Sequence, residues 1–205
     1  MTISRIILAR HGETLDNARG VAQGWSDSAL SERGRRQVAQ LAGRAARLGA
    51  TSLFCSTLPR AMATAEMVSH SLKIPIQLME DLREMNCGVW EGASFGDVRK
   101  GDPDFYTKWA SDPMMPCPEG ESFHDVLMRM QRAIDTIGRM ETVDGSVPVI
   151  VSHGTAIRVI ATGLLQIPLV HARSFAQDNA AINIFEWRVD RWVLKGWNDT
   201  THCEE

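Results

Sequence analysis

Two short apolar runs in this chain end in the same way. Ile6-Ile7-Leu8-Ala9 leads into Arg10-His11-Gly12-Glu13-Thr14, and Pro148-Val149-Ile150-Val151 leads into Ser152-His153-Gly154. Each run has the pattern of a strand buried on both faces. Each histidine is therefore expected at the carboxyl end of a core strand, the edge at which open α/β sheets bind ligands. The glycine after each histidine lets backbone approach a ligand closely, and a helix that follows the turn can aim free N–H groups at an anion. Two imidazoles would then face one another across a pocket. A third segment, Ser56-Thr57-Leu58-Pro59-Arg60, places an arginine just beyond another strand. Arg10 and Arg60 supply planar, permanently charged forks suited to phosphate oxygens. His70, His124 and His171 lack such surroundings and are read as structural.

The rest of the pattern supplies the elements that must position these groups. Ser31 is a good N-cap for a helix reaching Leu48, in which Val38, Leu41, Ala42 and Ala45 recur at helical spacing. Ser52 to Ser56 reads as a second strand, and Pro59 fits the first turn of a helix through Ala61, Ala65, Met67 and Val68. Ile74 to Leu78 is a third candidate strand. Leu82 to Tyr106 carries four glycines and no clean period, which marks an irregular, lid-like insertion at about 85–120. A helix from near Glu121 carries Phe123, Val126, Met130, Ile134 and Ile137 on one face; another follows His153 from Ala156 to Leu165. Ile182 to Trp187 and Trp192 to Trp197 are late strands joined by a turn. This alternation predicts an α/β fold, a three-layer α/β/α sandwich with a mainly parallel central sheet, formed as one domain over 1–205. Trp90, Phe95, Phe105, Tyr106 and Trp109 have two readings: an apolar lid over a ligand, or packing of the insertion onto the domain.

Composition sets outer bounds. With 205 residues, 44% hydrophobic and 23% charged, the chain has the make-up of a folded globular protein. A formal charge of -3 offers no global basic surface, so nucleic acid is not an expected partner and anion binding has to be local. Met1 to Arg5 lacks the features of a signal peptide, and no apolar run spans a bilayer, so a cytoplasmic protein without a membrane partner is expected. Cys55, Cys87, Cys117 and Cys203 have no Cys-x-x-Cys spacing and read as free structural thiols.

Taken in order, the motifs resemble the histidine phosphatase superfamily, the group that contains the cofactor-dependent phosphoglycerate mutases. The resemblance rests on Leu8 to Asn17, Gln23-Gly24, Asp27, Leu30-Ser31 and Gly34, and on Ser56 to Ala65 with Arg60 and Thr64. It continues through Leu82-Arg83-Glu84 to Trp90-Glu91-Gly92, Pro118 to Ser122, and Val151 to Thr155, covering nearly the whole chain. Asp16 stands where family members often have tryptophan, and Thr57 and Ala63 replace a common proline and glutamine. Asp16 would add negative charge near the pocket mouth.

The resemblance implies that His11 attacks phosphorus and forms a phosphohistidine, with a backbone carbonyl orienting its other ring nitrogen. It also implies that Arg10, Arg60 and a protonated His153 supply the positive charge, so that no metal or other cofactor is needed, and that Glu84 protonates the leaving oxygen. Thr14, Asn17, Gln23, Gly24 and the Gly154 backbone are implied as further substrate contacts; Glu13 is structural or catalytic. Met85 to Gly92 looks more like the phosphatase branch than the longer, tyrosine-containing segment of the glycolytic mutases. The implied activity is a metal-independent phosphomonoesterase acting on a small phosphorylated metabolite. Mutase-type phosphoryl transfer and a non-catalytic phosphate-binding protein are the alternatives, and a homodimer is left open. Asn198 to His202 also resembles the tail of some phosphatase members, with no role legible in the sequence.

Overall fold

The apolar runs pair as strands buried on both faces should. The computed structural model describes residues 3–203, so Met1 and Thr2 of the N-terminal segment lie outside the described residues. Strands β1 (Arg5–Arg10), β2 (Ser52–Ser56), β3 (Ile76–Met79), β4 (Pro148–Ser152), β5 (Ile182–Arg188) and β6 (Arg191–Asp199) form one sheet in the order β3-β2-β4-β1-β5-β6. The first four in that order are parallel, and β5 and β6 continue the sheet antiparallel. Successive side chains alternate between the two faces. Ile7, Ala9, Leu53, Cys55, Val149 and Val151 pack against the helices α2 (Glu32–Arg47) and α3 (Pro59–Leu72). Ile6, Leu8, Phe54 and Ile150 pack on the other face, against α6 (Phe123–Met140) and α7 (Gly154–Leu165). The expected three-layer α/β/α sandwich with a mainly parallel sheet is therefore the observed architecture. Among the described residues no helix is long and apolar enough to cross a membrane.

Three elements depart from the sequence reading, the first two for physical reasons. A short helix, α1 (Leu15–Arg19), follows the first histidine turn; five residues are too few to show a period. The insertion is less irregular than expected, because Ser94 and Asp102 cap two further short helices, α4 (Phe95–Gly101) and α5 (Pro103–Ser111). The third strand starts later than expected, at Ile76.

The insertion's aromatic residues resolve toward packing. Trp109 is 2% exposed and meets Trp90 edge-on at 4.8 Å, Phe123 edge-on at 6.2 Å, and Phe95 in a stack at 6.1 Å. The Arg173 guanidinium lies 3.9 Å from the Trp109 ring centroid. These contacts fasten the insertion to α6; of the five aromatics, Phe95 also reaches the pocket wall.

Candidate active site

Strands β1 and β4 are adjacent and end level, with Arg10 opposite Ser152, so the two histidine turns leave the sheet side by side. The His11 and His153 rings stand 5.1 Å apart, tilted by 58°, and both are buried. His11 Nδ1 lies 2.8 Å from the Gly12 carbonyl oxygen. A carbonyl only accepts, so Nδ1 carries the ring proton and Nε2 keeps its lone pair. That lone pair faces Arg60, whose Nε donates to it at 3.3 Å. Burial, then the charges of Arg60 and Arg10, hold the His11 pKa well below the ordinary histidine value, so the ring is neutral at pH 7.

His153 departs from the expectation that it is protonated. Burial is again the largest cause, followed by Arg60 and His11, and together they press its pKa well below the usual value. Its Nε2 lies 2.7 Å from Ser56 Oγ, and its buried Nδ1 has no partner among the described residues. The same cations that would bind an anion keep this imidazole neutral.

The two arginines are held differently. Arg60 is 2% exposed and donates to the Gly24 carbonyl at 2.7 Å, the Ser26 carbonyl at 2.9 Å and Asp27 Oδ1 at 2.8 Å. Gly24 can present its carbonyl this way because its φ of 55° suits glycine, and a Cβ there would collide with the Glu91 carboxylate. Arg10 donates to the Gln177 carbonyl, while its buried Nε has no partner among the described residues. Burial lowers the Arg10 pKa to about 10, against the opposing pull of Glu84, which leaves the guanidinium charged at neutral pH.

Glu84 sits at the start of α7. The cap residue His153 offers that helix no side-chain bond, and Glu84 supplies it instead: Oε2 accepts from Thr155 N at 3.0 Å and Oε1 from Ala156 N at 3.0 Å. Buried Arg129 of α6 fixes the backbone beneath it, donating to the carbonyls of Asp81, Arg83 and Glu84 at 3.0, 2.6 and 2.8 Å. Glu121 pairs with Arg129 at 2.8 Å.

Arg10, His11, Arg60, Glu84 and Gly154 line a pocket of about 200 Å³, and His153 is not on its wall. A Cβ on Gly154 would stand in ordinary contact with Arg10 Nε, at 3.4 Å. Asn17, Gln23 and Gly24 are also on the wall. Gln23 is already engaged: Oε1 accepts from Thr14 at 3.1 Å and Asn17 at 3.3 Å, and Nε2 donates to Ser28 Oγ at 3.0 Å. Thr14 is not brought to the wall. It is fully buried and caps α1, with Asn17 completing the capping box. Glu13 binds Ser31 and Arg33, a structural role, and Asp16 pairs with Arg19 away from the pocket wall. Among the described residues no three His, Cys, Asp or Glu side chains converge as metal ligands do.

Four residues of the site were not singled out from sequence for these roles. Asp27 and Arg129 act through Arg60 and Glu84, partners distant in the chain. Arg158 and Gln177 are on the pocket wall. Arg158 had a readable signal, lying one helical turn beyond Gly154 on the helix that starts at the second histidine. Gln177 lies in a loop, where no periodicity marks it.

Residues 6–200 match the family model of the histidine phosphatase superfamily (branch 1), and the chain belongs to that superfamily. The probable phosphoglycerate mutase GpmB of Erwinia tasmaniensis is 33% identical over 208 residues, spanning 98% of this chain and 95% of that protein. Among solved structures, Bacillus stearothermophilus YhfR is 31% identical with a TM-score of 0.89, covering 98% of this chain and all of the other. The mycobacterial glucosyl-3-phosphoglycerate phosphatase Rv2419c, solved with VO3, is 26% identical with the same TM-score of 0.89, covering 96% of this chain and 99% of that one.

Proposed function

We propose that the chain is a metal-independent phosphomonoesterase that hydrolyses a small phosphorylated metabolite through a phosphohistidine at His11. The observation that carries this reading is the state of His11: neutral, with its proton fixed on Nδ1 by Gly12 and its Nε2 lone pair beside Arg60 on the wall of a cationic pocket. A neutral imidazole is a competent nucleophile, and covalent capture divides one difficult hydrolysis into two displacements.

In the first displacement Nε2 bonds to phosphorus, the ester P–O bond breaks, and Glu84 gives the departing oxygen a proton. Charge spread over the three phosphoryl oxygens is met by Arg10 and Arg60. His153 adds a neutral donor: Ser56 Oγ already accepts from Leu58 N, so its own proton can go to His153 Nε2, which leaves the ring proton on Nδ1. In the second displacement water attacks phosphorus, its proton passes to Glu84, and the P–N bond breaks to regenerate His11. Mutase-type transfer begins from the same phosphohistidine and returns the phosphoryl group to an organic acceptor instead of water; the name of the Erwinia relative favours keeping it as the second reading.

The test is phosphate release from a panel of small phosphomonoesters in excess chelator, with wild type and His11→Ala, alongside trapping of an acid-labile phosphoenzyme. Chelator-resistant release and a phosphoenzyme, both lost in His11→Ala, are expected. Activity that chelator abolishes or that survives in His11→Ala overturns the reading. Isomerised phosphoglycerate without phosphate release selects the mutase alternative.

A further inference from the structure

Two polar groups on the pocket wall are left over when the phosphoryl group has been provided for. Gln177 is 8% exposed, and neither its Oε1 nor its Nε2 has a partner among the described residues. Buried polar side chains are satisfied in the large majority of cases, and an unpaired one is costly. The loop that holds Gln177 is firmly tied down. Trp197 Nε1 donates to the Ala176 carbonyl at 2.7 Å, Asn198 brackets Asp178 at 2.7 and 2.8 Å, and His202 bonds the Ala180 carbonyl at 3.0 Å. This gives the C-terminal tail a role: it fixes the segment that presents Gln177.

Arg158 is the second group. Its Nε donates to the Gly154 carbonyl at 3.2 Å and its Nη2 to Thr155 Oγ1 at 3.1 Å, which aims the guanidinium and leaves Nη1 without a protein acceptor among the described residues. None of the ion pairs among the described residues includes Arg158, and burial lowers its pKa, opposed by Glu84. A partly buried guanidinium that no carboxylate pairs directly has a donor to offer an anion. The pocket wall thus carries three guanidinium groups, Arg10, Arg60 and Arg158, against the single carboxylate of Glu84. Arg10 and Arg60 answer a phosphate dianion, and Arg60 is already countered by Asp27.

We propose that Arg158 and Gln177 form a second subsite that binds a carboxylate on the organic half of the substrate. Arg158 Nη1 and Gln177 Nε2 donate to the carboxylate oxygens, and Gln177 Oε1 accepts from a hydroxyl or ammonium group on the same small frame. A sugar hydroxyl would satisfy Gln177 and leave the Arg158 charge unanswered. The site is small, at about 200 Å³, which suits a second anionic group only a few bonds from the phosphate. This inference deepens the phosphomonoesterase reading and takes from it only the place of the phosphoryl group.

The experiment is calorimetric binding of two phosphonates that cannot be hydrolysed, carboxyethylphosphonate and propylphosphonate, which differ in the carboxylate. Wild type should prefer the carboxylate ligand by about tenfold or more, as charge-assisted hydrogen bonds allow. Arg158→Gln and Gln177→Leu should each shrink that ratio, and together bring it near one. The Gln177 backbone contacts survive its replacement, so that variant carries the test should Arg158→Gln fail to fold. A wild-type ratio of one, or a ratio unchanged in the variants, overturns the subsite. A ratio that behaves as expected while no phosphomonoester is hydrolysed overturns the catalytic reading and leaves the subsite standing.

Discussion

Holding two imidazoles neutral inside the protein has a consequence in acid. In the unfolded chain each ring titrates near 6.5, and in the fold His11 and His153 titrate well below that value. Between the folded and unfolded values the unfolded chain binds more protons, so stability rises with pH through that window and is level above it. Read downward from neutral pH, each ring that stays neutral in the fold lowers the unfolding free energy by up to about 1.4 kcal/mol per pH unit below 6.5. The pair together gives up to roughly 2.7 kcal/mol per unit, a large share of a typical stability of about 5–15 kcal/mol. His202 is shifted in the same direction by burial and adds to the slope. Asp125, Glu186 and Asp199 are shifted down as carboxylates, so their stabilisation is lost only as pH falls below the ordinary carboxylate range. The two sets of groups therefore act in separate windows.

His11→Asn removes one titrating ring from that window. Urea unfolding followed between pH 8 and pH 5 should show a stability slope below pH 6.5 shallower than wild type by up to about 1.4 kcal/mol per unit, with m unchanged. Identical slopes would show that the ring protonates as easily inside the fold as outside it. The kinetic counterpart is the acid limb of kcat/KM, which reports the free enzyme. It should fall below pH 6.5; a limb at or above that value refutes the neutral nucleophile.

Asp27→Ala deprives Arg60 of its ion pair at 2.8 Å while the Gly24 and Ser26 carbonyls still hold it, so kcat/KM on an aryl phosphate should drop about tenfold with the fold intact, and Asp27→Asn should recover most of it. Gly88 has a φ of 54°, and a Cβ there would overlap the Pro118 carbonyl, whereas Gly20 has a φ of 71° and nothing within 4 Å. Urea denaturation should show Gly20→Ala losing about 1 kcal/mol and Gly88→Ala distinctly more; equal losses would refute the steric account. Trp109→Ala opens a cavity at the centre of the aromatic cluster and should cost about 3–5 kcal/mol, readable as a lowered urea midpoint.

What the sequence disclosed follows from how local the underlying physics is. Strands β1 and β4 were legible because both faces are covered, so every position is apolar, and α2 and α6 because one face meets the sheet. His11, Arg60 and Glu84 were legible from their places at strand ends and in an ordered set of motifs. The capping role of Thr14 was not legible, because the resemblance implies a substrate contact there and the helix it caps is too short to announce itself. The charge state of His153 was not legible for a different reason: residue type says that a ring can titrate, but its burial and the charges of Arg60, His11, Arg129 and Arg10, which set the direction, come from the assembled fold. Asp27, Arg129 and Gln177 act on partners distant in the chain, and no periodicity encodes such pairings.

The placement of Glu84 shows why activity and stability cannot be separated evenly across this site. Helix α7 begins at the second histidine turn, and its cap residue leaves the first N–H groups without a side-chain partner. Glu84, just ahead of the insertion, bonds two of them, and Arg129 of α6 holds the carbonyls on which Glu84 rests. One residue thereby joins α6 and α7, its backbone carbonyl bonded to α6 and its carboxylate to α7, and it lines the pocket as well. Its removal exposes helix-end donors and takes away the proposed proton donor together, and a lost cap alone costs about 0.5–2 kcal/mol. His11 Nε2, the proposed nucleophilic atom, accepts a single bond from Arg60 Nε, and that guanidinium is also held by Gly24, Ser26 and Asp27. The proposed nucleophile can therefore be removed with less change in the scaffold than the proposed proton donor, which is part of what holds the scaffold together.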